Sequence, residues 1–299
     1  MLVAAVAACA PSKISVRAVG DLMANGVPAF EKDADLDLVQ HALPAHIKLL
    51  EALLETDPRN RQMLVLLARL YTSYAFAFID GPIEAAELSG ALPQSAGWSI
   101  EAEKQRAIRY YRRSNEYALR ALEVRHPEAR RILADPAAAG PFIDRLTRRD
   151  TAALFWYGFS LSADINHNRD SIAAVGQGHL VEKAMRRVIE TDETYFFGGA
   201  HLVLLVYYGS RPPLAGGRPA LADGHYRRLR QITGGGFHLA DLFFARYVLY
   251  QRQDRSEFVA VMQRILGGSA ADERYRLYNS IAAERAHLYL GAADRLFIE

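Results

Sequence analysis

The side chains best able to carry metal or nucleophilic chemistry in this chain are nine histidines and a single cysteine, and their spacing argues against most such chemistry. His41, His46, His126, His167, His179, His201, His225, His238 and His287 are dispersed, and none forms His-Glu-x-x-His. His179 and Glu182 stand at a ligand-compatible helical spacing, but a di-metal bundle needs further carboxylates on neighbouring helices. Cys9 alone excludes an internal disulfide framework and any cysteine-based zinc site. Asp164, Asn166, Asn168 and Asp170 imitate the first half of a calcium loop. Arg169 stands where that loop turns on glycine, however, and Val175 where it needs a bidentate glutamate. The four are therefore read as a polar helix terminus whose side chains bond local backbone. There is no Gly-x-x-x-x-Gly-Lys-Ser/Thr phosphate loop, and the glycines 234–236 read as a helix stop. Gly158-Phe159-Ser160-Leu161-Ser162 falls within an apolar helix rather than on a strand-to-helix turn, so it is no nucleophile elbow. This reading assigns no catalytic residue, no metal and no cofactor.

What remains is aromatic: Trp156, Tyr157 and Phe159, then Tyr195, Phe196, Phe197, Tyr207 and Tyr208, then Phe243, Phe244, Tyr247 and Tyr250. The segments 152–163 and 195–208 are apolar on almost every face, which exceeds what one packing face requires. Most of these rings must be core, and a lined cavity for an apolar ligand is their second use.

The elements that must position them are helical. Ala, Leu and Arg dominate long stretches without proline. A leader to about residue 33 precedes a helix from Leu36 to Thr56, with Pro44 placed where one short helix stops and another begins. Asp57-Pro58 breaks it, and a helix over 59–79 carries Leu64, Leu67, Ala68, Tyr71, Ala75 and Phe78 at spacings of three and four. Residues 80–98, rich in Gly and Pro, read as a loop with at most a short helical turn. Ser99 caps a helix over 100–124 whose Ile108, Tyr111, Ala118, Leu119 and Leu122 form one face. Arg106, Arg109, Arg113 and Arg120 lie on another, with Glu116 spaced to pair with Arg112 and Arg120. Asp150 is placed to cap the helix that carries Trp156, and further helices follow over about 171–191, 195–208, 220–232, 238–252, 254–266 and 272–296. Glu55-Thr56-Asp57-Pro58 is echoed by Glu190-Thr191-Asp192-Glu193 about 135 residues on, close to four lengths of a 34-residue tetratricopeptide unit. The expected fold is all-α: degenerate tetratricopeptide-like hairpins in one compact solenoid-like domain, interrupted by Pro/Gly-rich insertions.

The chain has 299 residues, 51% hydrophobic and 23% charged, with a net charge of +2. Such a balance gives no electrostatic reason to bind nucleic acid, and no long linker divides it. Cys9 follows the apolar run Leu2–Ala8, and Val6-Ala7-Ala8-Cys9 looks like a bacterial lipobox, which predicts export and a lipid tether. The alternative is a frayed apolar N-terminus. Residues 1–9 are accordingly read as a signal-peptide remnant, 10–33 as a leader and 34–299 as the helical domain. Ala10 after the cysteine, rather than Asp, fits sorting to the outer membrane.

Several stretches together carry a resemblance: the lipobox cysteine, Leu49-Leu50-Glu51-Ala52-Leu53-Leu54 before Asp57-Pro58, Tyr110-Tyr111-Arg112-Arg113, Ala118-Leu119-Arg120-Ala121-Leu122, Phe155-Trp156, Gly198-Gly199-Ala200-His201-Leu202, Arg211-Pro212 with Gly216-Gly217, and Asn279-Ser280-Ile281-Ala282 with Arg285-Ala286. In this order the chain resembles the TatT family, the tetratricopeptide-like periplasmic lipoproteins associated with TRAP (tripartite ATP-independent periplasmic) transporters. The resemblance implies a non-enzymatic transport accessory, a homotrimer, and partnership with the TRAP substrate-binding protein. It also implies a pore or cleft for a hydrophobic, carboxylate-bearing ligand. On that reading Trp156, Phe196, Phe197, Tyr207 and Phe244 line the passage, while Arg112, Arg113 and Arg211 meet the carboxylate. Cys9 tethers the protein to the membrane. The competing expectation is a repeat scaffold that binds another protein and has no small-molecule site. An enzyme on a helical fold requires several titratable groups converging in a pocket.

Overall fold

The computed structural model describes residues 10–90, 98–211, 214, 216–268 and 272–297, and helices are the only regular elements among them. Cys9 lies outside the described residues. Residues 10–33, read above as a leader, contain helix α1 (Ala10–Glu31), which packs on α2 (Leu36–Thr56) and α3 (Arg61–Tyr74). Its last residue holds it in place: the Tyr278 hydroxyl donates to Glu31 at 2.7 Å, and Arg69 bonds the same carboxylate.

α2 runs unbroken through Pro44, contrary to the two short helices expected. An interior proline costs about 3 kcal/mol. Val39, Leu43, Ile47, Leu50 and Leu54 are all buried on one face, and at about 1.5–3 kcal/mol each their burial outweighs it. Asn60 caps α3 by accepting from the Met63 N–H at 3.1 Å. Beyond α3 the helix also continues where a loop was expected. Residues Ala75–Ile79 form one π-helical turn, α4 (Asp80–Ser89) follows directly, and Gly90 ends the run at φ 69°. Pro82 therefore lies inside a continuous helical run, in the turn that follows the π turn. Among the described residues, Arg61–Ser89 is the one helix long and apolar enough to match a membrane span, with a mean hydropathy of 1.4 in its most apolar window, 61% of which is buried in the protein.

Ser99 caps α5 (Ile100–Glu123) as expected, accepting from the Ala102 N–H at 3.1 Å. The short helices α6 (Ala129–Leu133) and α7 (Pro136–Arg145) lead to α8 (Thr151–His167). Asp150 does not cap α8, because its carboxylate turns back to the Thr147 N–H at 3.0 Å. α8 sits in the middle, packed on α3, α5 and α10 (Gly178–Asp192), which explains why it is apolar on nearly every side. The helix expected over 171–191 is two, α9 (Ile172–Gly176) and α10, broken at Gln177. α11 (Tyr195–Gly209), α12 (Pro219–Thr233) and α13 (His238–Phe244) follow, and a second π turn over Ala245–Leu249 extends α13. α14 (Arg255–Gly268), α15 (Arg276–Gly291) and the one-turn α16 (Ala293–Leu296) complete the order. α15 packs on α13 and α14 and also returns to α1, α2 and α4. The succession of helices thereby closes on its own beginning, around a space that opens to solvent on one side.

Candidate functional site

That space is a cavity of about 300 Å³, and its wall is built by both π turns, α4, α5, α8, α11, α13 and α15. The inner wall is apolar: Phe76, Ile83, Phe159, Leu202, Val206 and Phe243. A smaller apolar cavity of about 20 Å³ shares Phe76, Phe159, Leu202 and Phe243 with it and adds Trp156, Phe196 and Tyr278. These four shared side chains form the partition between the two. Phe76 and Phe243 meet edge to face across it at 5.7 Å.

The opposite wall is charged. Glu84 and Arg285 are 5% and 3% exposed. Helical spacing explains their burial, since Arg285 falls on the face of α15 that also buries Ile281 and Tyr289. Arg246 reaches Glu84 Oε1 at 2.6 Å from the second π turn, and the Tyr289 hydroxyl donates to the same oxygen. Burial works against the charge of Arg246, but Glu84, Tyr247, Tyr289 and Asp80 outweigh it and hold its pKa above the usual guanidinium value. Arg285 donates through Nη2 to the carbonyl of Phe76 in the first π turn and lies 4.3 Å from the centre of the Phe76 ring. A π turn displaces the regular carbonyl-to-amide ladder by one residue, and this guanidinium supplies a donor there. Asp80, the residue after that turn, accepts from the Tyr111 hydroxyl at 2.6 Å and lies 2.9 Å from His167 Nε2. Burial first, then the charge of Asp80, push the Tyr111 hydroxyl well above its ordinary pKa. Lys104 with Glu87 at 2.7 Å, and Arg169, complete the charged lining.

The residues singled out from sequence are only partly gathered here. Trp156 and Phe196 line the smaller cavity, with ring centres 4.9 Å apart, and Trp156 donates to the Tyr195 hydroxyl at 3.1 Å. Phe196, Phe197 and Gly198 form a left-handed turn with φ of 47°, 59° and 78° that separates α10 from the body of α11. Such φ values at two phenylalanines carry strain of about 1–2 kcal/mol each. The turn is held by packing: Phe197 lies 5.0 Å from Tyr275 in an edge contact, and Arg69 sits 5.2 Å from the Phe196 ring centre. Phe197 lines neither cavity. Nor does Phe244, stacked on Tyr226 at 4.0 Å, or Tyr207, which Arg211 covers at 4.9 Å. The three arginines also stand outside both cavities. Arg112 pairs with Asp164 at 3.0 Å, Arg113 donates to the Tyr71 hydroxyl at 3.0 Å, and Arg211 donates to the Tyr207 carbonyl at 3.1 Å. Glu116 does not pair along its own helix as expected, because α6 brings Arg130 to both of its oxygens at 2.9 Å. Asn168 closes α8 by bonding the Asp164 carbonyl at 2.9 Å, the local role expected of that polar cluster.

The wall residues that sequence reading missed are Phe76, Asp80, Glu84, Arg246 and Arg285. The signal available for two of them was a charged residue at a buried helical position.

A family model for the TRAP transporter T-component matches residues 32–297. The chain belongs to that family. It is also similar to an uncharacterised protein of Treponema pallidum (strain Nichols), 29% identical over 239 residues that cover 79% of this chain and 72% of that protein. In this T-component the match spans every element that builds the cavity. The described residues bear out the all-α class, and the family match bears out the family expected from sequence.

Proposed function

We propose that this T-component is a non-enzymatic, lipid-anchored periplasmic accessory of a TRAP transport system that holds an apolar, carboxylate-bearing ligand in the central cavity and docks the system's substrate-binding protein. The observation that carries the reading is the cavity itself: an apolar wall faced by one buried guanidinium, Arg285, and one half-buried, Arg246, in a member of a transport-component family. Its volume is at the lower end of small-molecule sites. An apolar tail gains by leaving water against Phe159, Leu202 and Val206, and a carboxylate gains charge-assisted bonds from Arg246 and Arg285. Trp156 and Phe196 then serve as the inner lining reached by a longer tail. Degenerate tetratricopeptide-like hairpins, a homotrimeric assembly and lipidation of Cys9, with the outer membrane as one destination, belong to the same proposal.

A second reading, a protein-binding scaffold, is favoured by an open groove of about 480 Å³ between α2 and α5, lined by Lys48, Glu51, Arg113, Tyr117 and Arg120. Calorimetry of the purified protein against the substrate-binding protein of the same system tests docking, and native mass spectrometry tests the ligand. Docking by a protein that never carries a small molecule selects the scaffold reading.

A further inference from the structure

The ionic pairing of the cavity wall leaves one cation over. Arg246 and Arg285 face Glu84 at 2.6 and 3.4 Å, Lys104 pairs with Glu87 at 2.7 Å, and Asp80 is taken up by the Tyr111 hydroxyl and His167. Arg169 also lines the cavity, and among the described residues it meets no carboxylate. Its hydrogen bonds go instead to a neutral acceptor on the same wall, the side-chain oxygen of Asn166, from Nε at 3.1 Å and from Nη2. Arg169 is exposed, so it stands where the cavity opens to solvent. A guanidinium presents its N–H donors as a planar fork. Asn166 holds the Nε side of that fork without neutralising it, and the edge between Nη1 and Nη2 keeps donors for a second acceptor.

Resting on the ligand reading above, we propose that Arg169 is the residue that selects an acid. The cavity takes a monocarboxylic acid with its apolar chain inward, against Phe159, Leu202 and Val206, and its carboxylate at the mouth, on the outer edge of the Arg169 fork. A carboxylate is planar and accepts two parallel N–H bonds, the geometry that edge offers. The wall carries four cations, Arg169 among them, against three carboxylates, so one anionic charge completes it. An acid set against Arg246 and Arg285 also meets Glu84, which those two already share, whereas the bonded neighbour of Arg169 is an uncharged amide. A head group at the mouth keeps its contact with water, so it avoids most of the desolvation that a buried carboxylate suffers.

The test is calorimetric titration of the full-length protein, dialysed free of small molecules, with hexanoate and octanoate. Each is compared with its amide, which keeps the chain and the planar head but not the charge. The expected result at low salt is an acid binding about fivefold tighter than its amide, the upper end for an exposed pair with bidentate geometry, and a preference that shrinks as salt is raised. Arg169→Gln, checked for folding by circular dichroism, should bring the acid down to its amide and leave amide binding where it was. Arg169→Lys, which keeps the charge and loses the fork, should retain part of the preference. A loss of acid and amide alike in Arg169→Gln shows a structural role and overturns the proposal. An acid preference that survives Arg169→Gln also overturns it, and leaves the ligand reading standing with the carboxylate inward at Arg246 and Arg285. Binding of none of the four overturns both.

Discussion

Arg285→Met is the substitution whose effect the structure specifies most closely. The guanidinium is 3% exposed, bonds the Phe76 carbonyl and lies 4.3 Å from the Phe76 ring centre. Methionine keeps much of the volume and removes both contacts as well as the ion pair to Glu84. Leaving the carbonyl unpaired costs about 1–3 kcal/mol, and losing a desolvated cation–π contact costs about 2 kcal/mol. The ion pair to Glu84, at 3.4 Å and without a hydrogen bond, adds little, and Glu84 keeps Arg246 and Tyr289. Not having to bury the guanidinium returns part of the loss. The net is about 2–4 kcal/mol, or a fall in Tm of roughly 3–6 °C for a chain of this size. Thermal melts followed at 222 nm measure it. Combining Arg285→Met with Glu84→Gln should cost less than the sum of the single changes, because the two residues share one network. A fall in Tm below about 1 °C would refute the view that Arg285 pins the first π turn.

Four further outcomes follow from the same geometry. Phe243→Ala, at the partition between the two cavities, should destabilise by about 3–5 kcal/mol while shifting ligand preference to bulkier tails, read by chemical denaturation and a ligand series. Gly198→Ala places a Cβ 3.1 Å from Leu229 Cδ1 at φ 78° and should cost about 1–3 kcal/mol by the same denaturation; no loss would contradict the packing of the left-handed turn. His225 lies 2.8 Å from His201 between their Nδ1 atoms, and burial, then His201 and Arg186, lower its pKa from 6.5 to about 4. Its folded-state pKa is depressed, so its stabilisation is complete above pH 6.5 and fades as pH falls toward 4. Tm should therefore drop more steeply over that window in the native protein than in His225→Gln. Arg112→Ala removes an exposed pair with Asp164 and should change stability by no more than about 0.5 kcal/mol and ligand affinity not at all, measured by calorimetry.

Helix identity was legible wherever one apolar face repeats, as in α3 and α5, and at Ser99, whose cap works as its residue type dictates. Breakers misled where burial outweighed them: Pro44 lies inside α2, and Gly81 and Pro82 lie within a helix that runs on to Ser89. The aromatic reading found one side of the site, since Trp156 and Phe196 do line a cavity, but it could not separate them from Phe197 and Phe244, whose rings are spent on packing. Of the arginines chosen from sequence, Arg112 and Arg113 stand on α5 and Arg211 follows α11, and all three meet ordinary partners outside both cavities. The two arginines that meet Glu84 at the cavity come from α15 and from a π turn, each across a large sequence separation. No local pattern announces a π turn, and nothing short of the folded chain brings Glu84 to Arg285.

Native mass spectrometry of the protein purified from periplasmic expression tests the central claim most directly. The account predicts an assembly carrying one small adduct per chain, released by mild activation and absent when the cavity is filled by Val206→Trp. A protein that flies empty from every preparation, with the Val206→Trp variant indistinguishable from it, would contradict the claim that the cavity holds a ligand.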